Sequence, residues 1–191
     1  MNTSIEYIIV PGWHGSGADH WQTHWHRIMP HSRRMKVSNW EVPQLTEWVQ
    51  ALQTQVRAST SQRLVLVAHS LGCITVAHWA QRHGQAEAHR IQGALLVAPA
   101  DVERPKAPAA LQPFAPIPRS TLPFPSLVVG STNDAAATAE RARAFAHSWG
   151  SDAVILPGVG HINAASGHHQ WVEGLGFLAR LAQQAEKRAI A

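Results

Sequence analysis

Leu64-Val65-Leu66-Val67-Ala68-His69-Ser70-Leu71-Gly72-Cys73 is the stretch that decides how this chain is read. Its four leading apolar residues read as a strand buried on both faces of a parallel sheet, and residues 74–81 read as a helix. A serine at that junction stands on a tight turn at the carboxyl edge of the sheet, with a helix N-terminus behind it. The pattern G-x-S-x-G presents a nucleophilic serine in this way. The turn is sharp enough that the residues two before and two after the serine must be small. Here they are Ala68 and Gly72; Ala68 departs from the usual glycine by one methyl group. Serine is also a common helix cap, so Ser70 becomes a nucleophile only if the rest of the chain supplies a base, an acid and oxyanion donors.

Strand and helix patterns alternate outward from this point. Strands are expected over residues 5–10, 33–37, 64–68, 93–98, 127–130 and 153–156. Helices are expected over residues 21–29, 45–57, 74–81, 137–149 and 170–187. In the second helix Leu45, Trp48, Val49, Leu52 and Val56 share one face, with Thr46 or the preceding turn as cap. This alternation implies a three-layer α/β/α fold around a mostly parallel six-stranded sheet, with strand order 2-1-3-4-5-6. With 191 residues, no repeats and no linker, the expectation is a single domain over 1–191.

One stretch departs from the alternation. Residues 99–125 hold eight of the 12 prolines, a density that disfavours helix and central strand. Strong strands lie on both sides, so we expect an ordered, mostly extended surface excursion near the active-site loops. It leaves little material for a large lid, and an open, shallow pocket follows.

Composition narrows the function classes. Hydrophobic residues are 45% and charged residues 15% of the chain, as in globular rather than disordered proteins. A net charge of +4 is mild, and no nucleic-acid-binding motif is present. No leader pattern precedes the first strand and no apolar stretch reaches membrane-spanning length, so a cytoplasmic protein that binds neither membrane nor nucleic acid is expected. The single cysteine, Cys73, excludes an internal disulfide and reads as a packing residue.

The base is sought among 13 histidines. His161 follows the last strand in Pro157-Gly158-Val159-Gly160-His161, where the glycines permit a loop that returns an imidazole over the sheet edge. His69 adjoins the serine, and its side chain should diverge from the hydroxyl. The acid candidate is Asp134, after the fifth strand, which could instead cap the next helix. Asp101, after the fourth strand, is its rival, whereas Asp152 precedes a strand and sits at the wrong edge. The oxyanion hole needs two backbone N–H groups. Leu71 supplies one, and Trp13, in Pro11-Gly12-Trp13-His14-Gly15 beside the serine strand, the other.

These pieces resemble a known family. Val10-Pro11-Gly12-Trp13, His20-Trp21-Gln22 with Trp25, His69-Ser70-Leu71-Gly72-Cys73, Ser131-Thr132-Asn133-Asp134 and Gly160-His161-Ile162-Asn163 are similar to the small serine hydrolases related to retinoblastoma-binding protein nine, and to compact bacterial α/β-hydrolases. The resemblance implies a compact α/β-hydrolase fold lacking a large lid, a Ser70, Asp134 and His161 triad, and no metal. Ser…Asp…His is also the chain order of α/β-hydrolases. Two departures stand out: Ala68 in place of glycine, and Ala135-Ala136 after the acid, where many relatives carry proline and an aromatic residue.

Eight tryptophans invite a pocket reading. Trp13, His14, Trp21, Trp25 and His69 are candidate pocket residues, while Trp48, Trp79 and Trp171 read as core. His20 and His24 are spaced for one helix face but lack a patterned third ligand, so no metal or cofactor is expected. The expected activity is hydrolysis of a small carboxylic ester, thioester or activated amide through an acyl-enzyme. The alternative is a weak or inactive hydrolase-fold protein that binds a protein partner. A monomer is the default at this size.

Overall fold

The computed structural model describes residues 4–190, with side chains of the last helix described through Leu181 and at Gln183. Six strands form one sheet: β1 (Glu6–Val10), β2 (Ser32–Arg34), β3 (Leu64–His69), β4 (Ile91–Val97), β5 (Ser126–Ser131) and β6 (Asp152–Leu156). Their spatial order is β2-β1-β3-β4-β5-β6, and every pairing is parallel. The expected order is borne out, and "mostly parallel" becomes wholly parallel. Every residue of β3 and β5 is buried, as strands covered on both faces require.

The period-2 alternation along β1 and β3 divides the core in two. Ile8, Val10, Leu64, Leu66 and Ala68 face one layer with Trp48, Leu52, Trp79 and Phe145. These partners come from α2 (Leu45–Ala58), α3 (Leu71–Trp79) and α5 (Ala139–Trp149). Between α3 and α5 the chain passes through a π turn (Ala80–Gly84) and the short α4 (Gln85–Glu87). Ile9, Val65 and Val67 face the other layer, with Trp21 and Trp25 of α1 (Trp21–Ile28) and Leu178 and Leu181 of α6 (Val172–Ile190). Trp48 is fully buried, and its truncation to alanine would cost about 3–5 kcal/mol. α2 starts after Gln44 without a side-chain cap, so the preceding turn rather than Thr46 begins it.

Residues 99–125 differ from the expected surface excursion. Val102, Leu111, Phe114, Ile117, Leu122 and Phe124 are all buried, and Ala109–Phe114 is a 3-10 helix. The reason lies in what the proline-rich backbone offers. Its prolines have no N–H to donate to a ladder, but their carbonyls and those of their neighbours still accept, and side chains of the packed helices reach them. His78 Nε2 donates to the Phe114 carbonyl at 2.9 Å, and Trp149 Nε1 donates to that of Pro118 at 2.8 Å. The segment therefore closes the flank of the first core layer. Among the described residues, no helix is long and apolar enough to cross a membrane.

Candidate active site

Ser70 occupies the turn between β3 and α3 with φ 54 and ψ −119, a left-handed conformation that side-chain-bearing residues rarely adopt. Such a residue costs of order 1–3 kcal/mol and persists only where its surroundings over-determine it. Here the Ser70 N–H donates to the Val97 carbonyl at 2.9 Å, and the Cys73 N–H donates to the Ser70 carbonyl at 3.0 Å. The small flanking residues follow from the same bend: a Cβ on Gly72 would lie 2.3 Å from the Val10 carbonyl oxygen. Ser70 precedes α3 but makes no side-chain cap bond. Its Oγ instead lies 2.9 Å from His161 Nε2.

His161 Nδ1 lies 2.9 Å from both carboxylate oxygens of Asp134. A carboxylate accepts, so Nδ1 carries the hydrogen and Nε2 is left bare to accept the Ser70 hydroxyl. The Asp134 side chain is only 2% exposed, and its Oδ1 also accepts the Ala136 N–H at 2.8 Å. It does not cap α5; Thr138 does. Asp101 is held elsewhere, by Arg141 Nε at 2.9 Å. Asp152 opens β6 at the opposite edge of the sheet from Ser70, as expected.

The second wall is the turn after β1. A Cβ on Gly12 would lie 2.8 Å from Ser70 Cβ, so this turn abuts the serine. Trp13 opens a short 3-10 turn held from outside: its Nε1 donates to the Glu41 carbonyl at 3.0 Å, and Arg34 donates to the Gly15 and Ser16 carbonyls at 2.5 and 2.7 Å. Leu71 begins α3, where main-chain N–H groups have no intrahelical acceptor.

Between these walls lies a cleft of about 470 Å³ whose lining includes Trp13, His14, His20, His69, Ser70 and His161, with Gly17, Ala18, Ala164 and Ala165 at its sides. Trp13, His14 and His69 are thus where the sequence placed them. Trp21 and Trp25 are not in the cleft. They are 0% and 1% exposed in the second core layer, where burial of their apolar faces outweighs a place at a wet surface. Their ring N–H groups donate to the Ile162 and Gln170 carbonyls.

Histidine electrostatics around the serine are dominated by burial. Burial pushes His20 down to about 3, helped by the Arg34 and His161 charges. Burial, with His161 and His20 nearby, holds His69 well below the usual histidine range. Both stay neutral near pH 7. Burial raises the Cys73 thiol well above its ordinary value, so it is a packing group.

Several supporting residues escaped the sequence reading. Gln22 Nε2 donates to the carbonyls of Val10 and Val67, tying the ends of β1 and β3 together beside the serine. Thr132 Oγ1, Ser131 Oγ and Asn133 Oδ1 accept the N–H groups of Gly158, Val159 and Gly160. They strap down the loop that carries His161. The available signal was a Ser-Thr-Asn run directly at the end of a buried strand.

A parallel sheet with a serine on a strained strand-to-helix turn, bonded to a histidine from the last strand's loop, defines the α/β-hydrolase class. Within that class, the family model described as serine hydrolase matches residues 7–180, and the chain belongs to that family. Among solved structures, a protein from Pectobacterium atrosepticum described as a YdeN-like hydrolase is 32% identical, with TM-score 0.82 over 95% of this chain and 92% of that one. The ydeN gene product of B. subtilis is 18% identical, with TM-score 0.73 over 94% and 98% of the two chains. Est1E from Butyrivibrio proteoclasticus, seen with ferulic acid, shares the fold at 14% identity and TM-score 0.68, over 99% and 91%. No curated protein sequence matches the chain.

Proposed function

We propose that this hydrolase cleaves small carboxylic esters, thioesters or activated amides through an acyl-enzyme. Ser70 Oγ attacks the carbonyl carbon while its proton passes to His161 Nε2. Asp134 holds the Nδ1–H and stabilises the imidazolium. The backbone N–H groups of Trp13 and Leu71 take the developing oxyanion. The tetrahedral intermediate collapses, His161 returns the proton to the leaving group, and an ester of Ser70 remains. Water, deprotonated by the same imidazole, then attacks that ester, releasing the carboxylic acid and restoring the serine. Protons move only among Ser70, His161, leaving group and water, so the scheme calls for no cofactor.

The observation that carries this reading is the unbroken run of 2.9 Å contacts from Ser70 Oγ through the His161 ring to Asp134. Proteins described as a thermophilic esterase and a type II thioesterase share the fold, which supports acyl chemistry in general terms. The cleft volume and small-residue sides favour short acyl groups. We read the enzyme as a cytoplasmic monomer; the free, buried Cys73 suits a reducing compartment.

A fluorophosphonate probe and a panel of p-nitrophenyl esters test the proposal. Wild type should take the label and turn over short esters, and Ser70→Ala should do neither. Equal labelling of both proteins would remove Ser70 from the mechanism. No labelling and no turnover by wild type would favour a protein-binding module on a hydrolase fold. Rates that climb steadily to long acyl chains would contradict the short-acyl reading.

A further inference from the structure

Asp134 orients the ring of His161, but two other groups hold its main chain. His69 Nε2 lies 2.9 Å from the His161 carbonyl oxygen, and Trp21 Nε1 lies 2.9 Å from the Ile162 carbonyl oxygen. A carbonyl only accepts, so His69 carries its hydrogen on Nε2, as Trp21 does on Nε1. Both donors are buried, at 4% and 0% exposure, and their rings meet edge to face at 6.0 Å and 89°. The two carbonyls are consecutive along the chain.

The residue between these contacts is strained. Ile162 has φ 47, a left-handed conformation that a β-branched side chain strongly resists. It is fully buried. Relaxation of Ile162 to negative φ would rotate the peptide that joins it to His161 and swing the imidazole away from Ser70. The threonine, serine and asparagine straps described above hold residues 158–160, on the other side of His161. On the strained side, the His161 and Ile162 carbonyls receive these two ring N–H donors, and the next residue, Asn163, is bonded to Ser166 and His168.

His69 is also the covalent neighbour of Ser70, and its backbone is in register with Val97 of β4. The same residue therefore sets the position of the nucleophile through its backbone and that of the base through its ring. Resting on the hydrolase reading above, we propose that His69 and Trp21 form an N–H clamp on the strained His161–Ile162 segment. They act as positioning residues that fix the separation of base and nucleophile. The neutral state of His69 suits this role, because it keeps a second positive charge away from the imidazolium formed during the reaction.

The test uses the whole chain and three variants, with p-nitrophenyl butyrate turnover, thermal unfolding, and exchange of ring N–H groups followed by NMR. Displacement of a reacting group by about 1 Å can cost about 100-fold in rate. His69→Phe should therefore lower kcat by about 10- to 100-fold while KM stays within about threefold. His69→Gln, which restores an N–H at similar reach, should recover kcat to within about fivefold of wild type. Trp21→Phe should lower kcat about tenfold, and the double variant should lose less than the product of the single losses, because both donors hold one segment. In wild type, both ring N–H groups should exchange slowly with water.

Unchanged kcat in both phenylalanine variants, or a glutamine variant no better than phenylalanine, would overturn the clamp. So would fast exchange of either ring hydrogen in wild type, whatever the activity. If His69→Phe does not fold, Trp21→Phe and His69→Gln decide by the same criteria. A wild type that neither turns over ester nor takes the fluorophosphonate label would remove the hydrolase reading, and the exchange measurement would still decide the clamp.

Discussion

Asp101 follows β4 and Asp134 follows β5, so both aspartates stand at the carboxyl edge of one sheet, on neighbouring loops. Their surroundings are unlike. Asp101 lies in a cluster of ion pairs, with Arg141 at 2.9 Å. Arg141 also binds Glu103, which reaches Arg119 at 2.5 Å. Arg141 and Arg119 both lie over the ring of Phe145. Asp134 faces a single imidazole and is almost fully covered. Position after a strand therefore brings a carboxylate to the carboxyl edge, and the partner it meets there differs: an arginine for Asp101 and an imidazole for Asp134.

The strongest way to break this comparison is to neutralise each acid in turn. Asp134→Asn should lower kcat by about 10³–10⁴-fold, since an amide cannot hold the imidazole tautomer or stabilise the imidazolium. Asp101→Asn should leave kcat within about threefold of wild type. A larger loss at Asp101 than at Asp134 in ester turnover would reverse the assignment.

The comparison sharpens at the loop straps. Asn133→Ala removes the acceptor for the Gly160 N–H and should lower kcat about tenfold by loosening the His161 loop. On the other loop, Glu103→Gln removes the charge that pairs with Arg119 and Arg141, while an amide oxygen can still accept the Ile117 N–H. It should lower stability by about 1 kcal/mol, read from urea unfolding, with turnover unchanged, since these charges are partly exposed and screened. Loss of turnover in the Glu103 variant would show that the two loops are coupled.

Acid separates the regions by smaller increments. His20 and His69 have folded values below the ordinary 6.5. The unfolded chain then binds protons that the folded chain refuses. Their contribution is present above pH 6.5 and is lost as pH falls below it, by up to about 1.4 kcal/mol per pH unit for each group. For Glu103, burial alone would raise the carboxyl, but the Ile117 N–H, Arg141 and Arg119 lower it below 4.5. Its contribution begins to fade only as pH drops below about 4.5. Unfolding free energy should therefore decline between pH 6.5 and 5, and His20→Phe should flatten that decline. A flat profile over this range in wild type would contradict the neutral buried histidines.

Much of this was legible in the sequence because it rests on local periodicity. The run from Leu64 to Val67 has no polar interruption, so only a doubly covered strand suits it. The glycines at 158 and 160 announced a loop with positive φ, and both adopt it. The tryptophans were less legible. Trp21 and Trp25 share the chemistry of Trp13, and only the packing of α1 against the sheet buries them. The proline-rich stretch misled for a related reason. Proline forbids regular structure, but it does not forbid burial when neighbouring helices supply donors for its carbonyls, as His78 and Trp149 do.

By itself, the sequence determined the alternating architecture, the strand order, and the small residues that let Ser70 stand on a turn, because these depend on side-chain period, size and backbone freedom within a few residues. Tertiary structure alone decided which carboxylate meets His161, which aromatics reach the cleft, and that His69 and Trp21 donate to the His161 and Ile162 carbonyls. Those contacts join residues far apart in the chain, and their existence depends on distances of about 3 Å that no local pattern encodes.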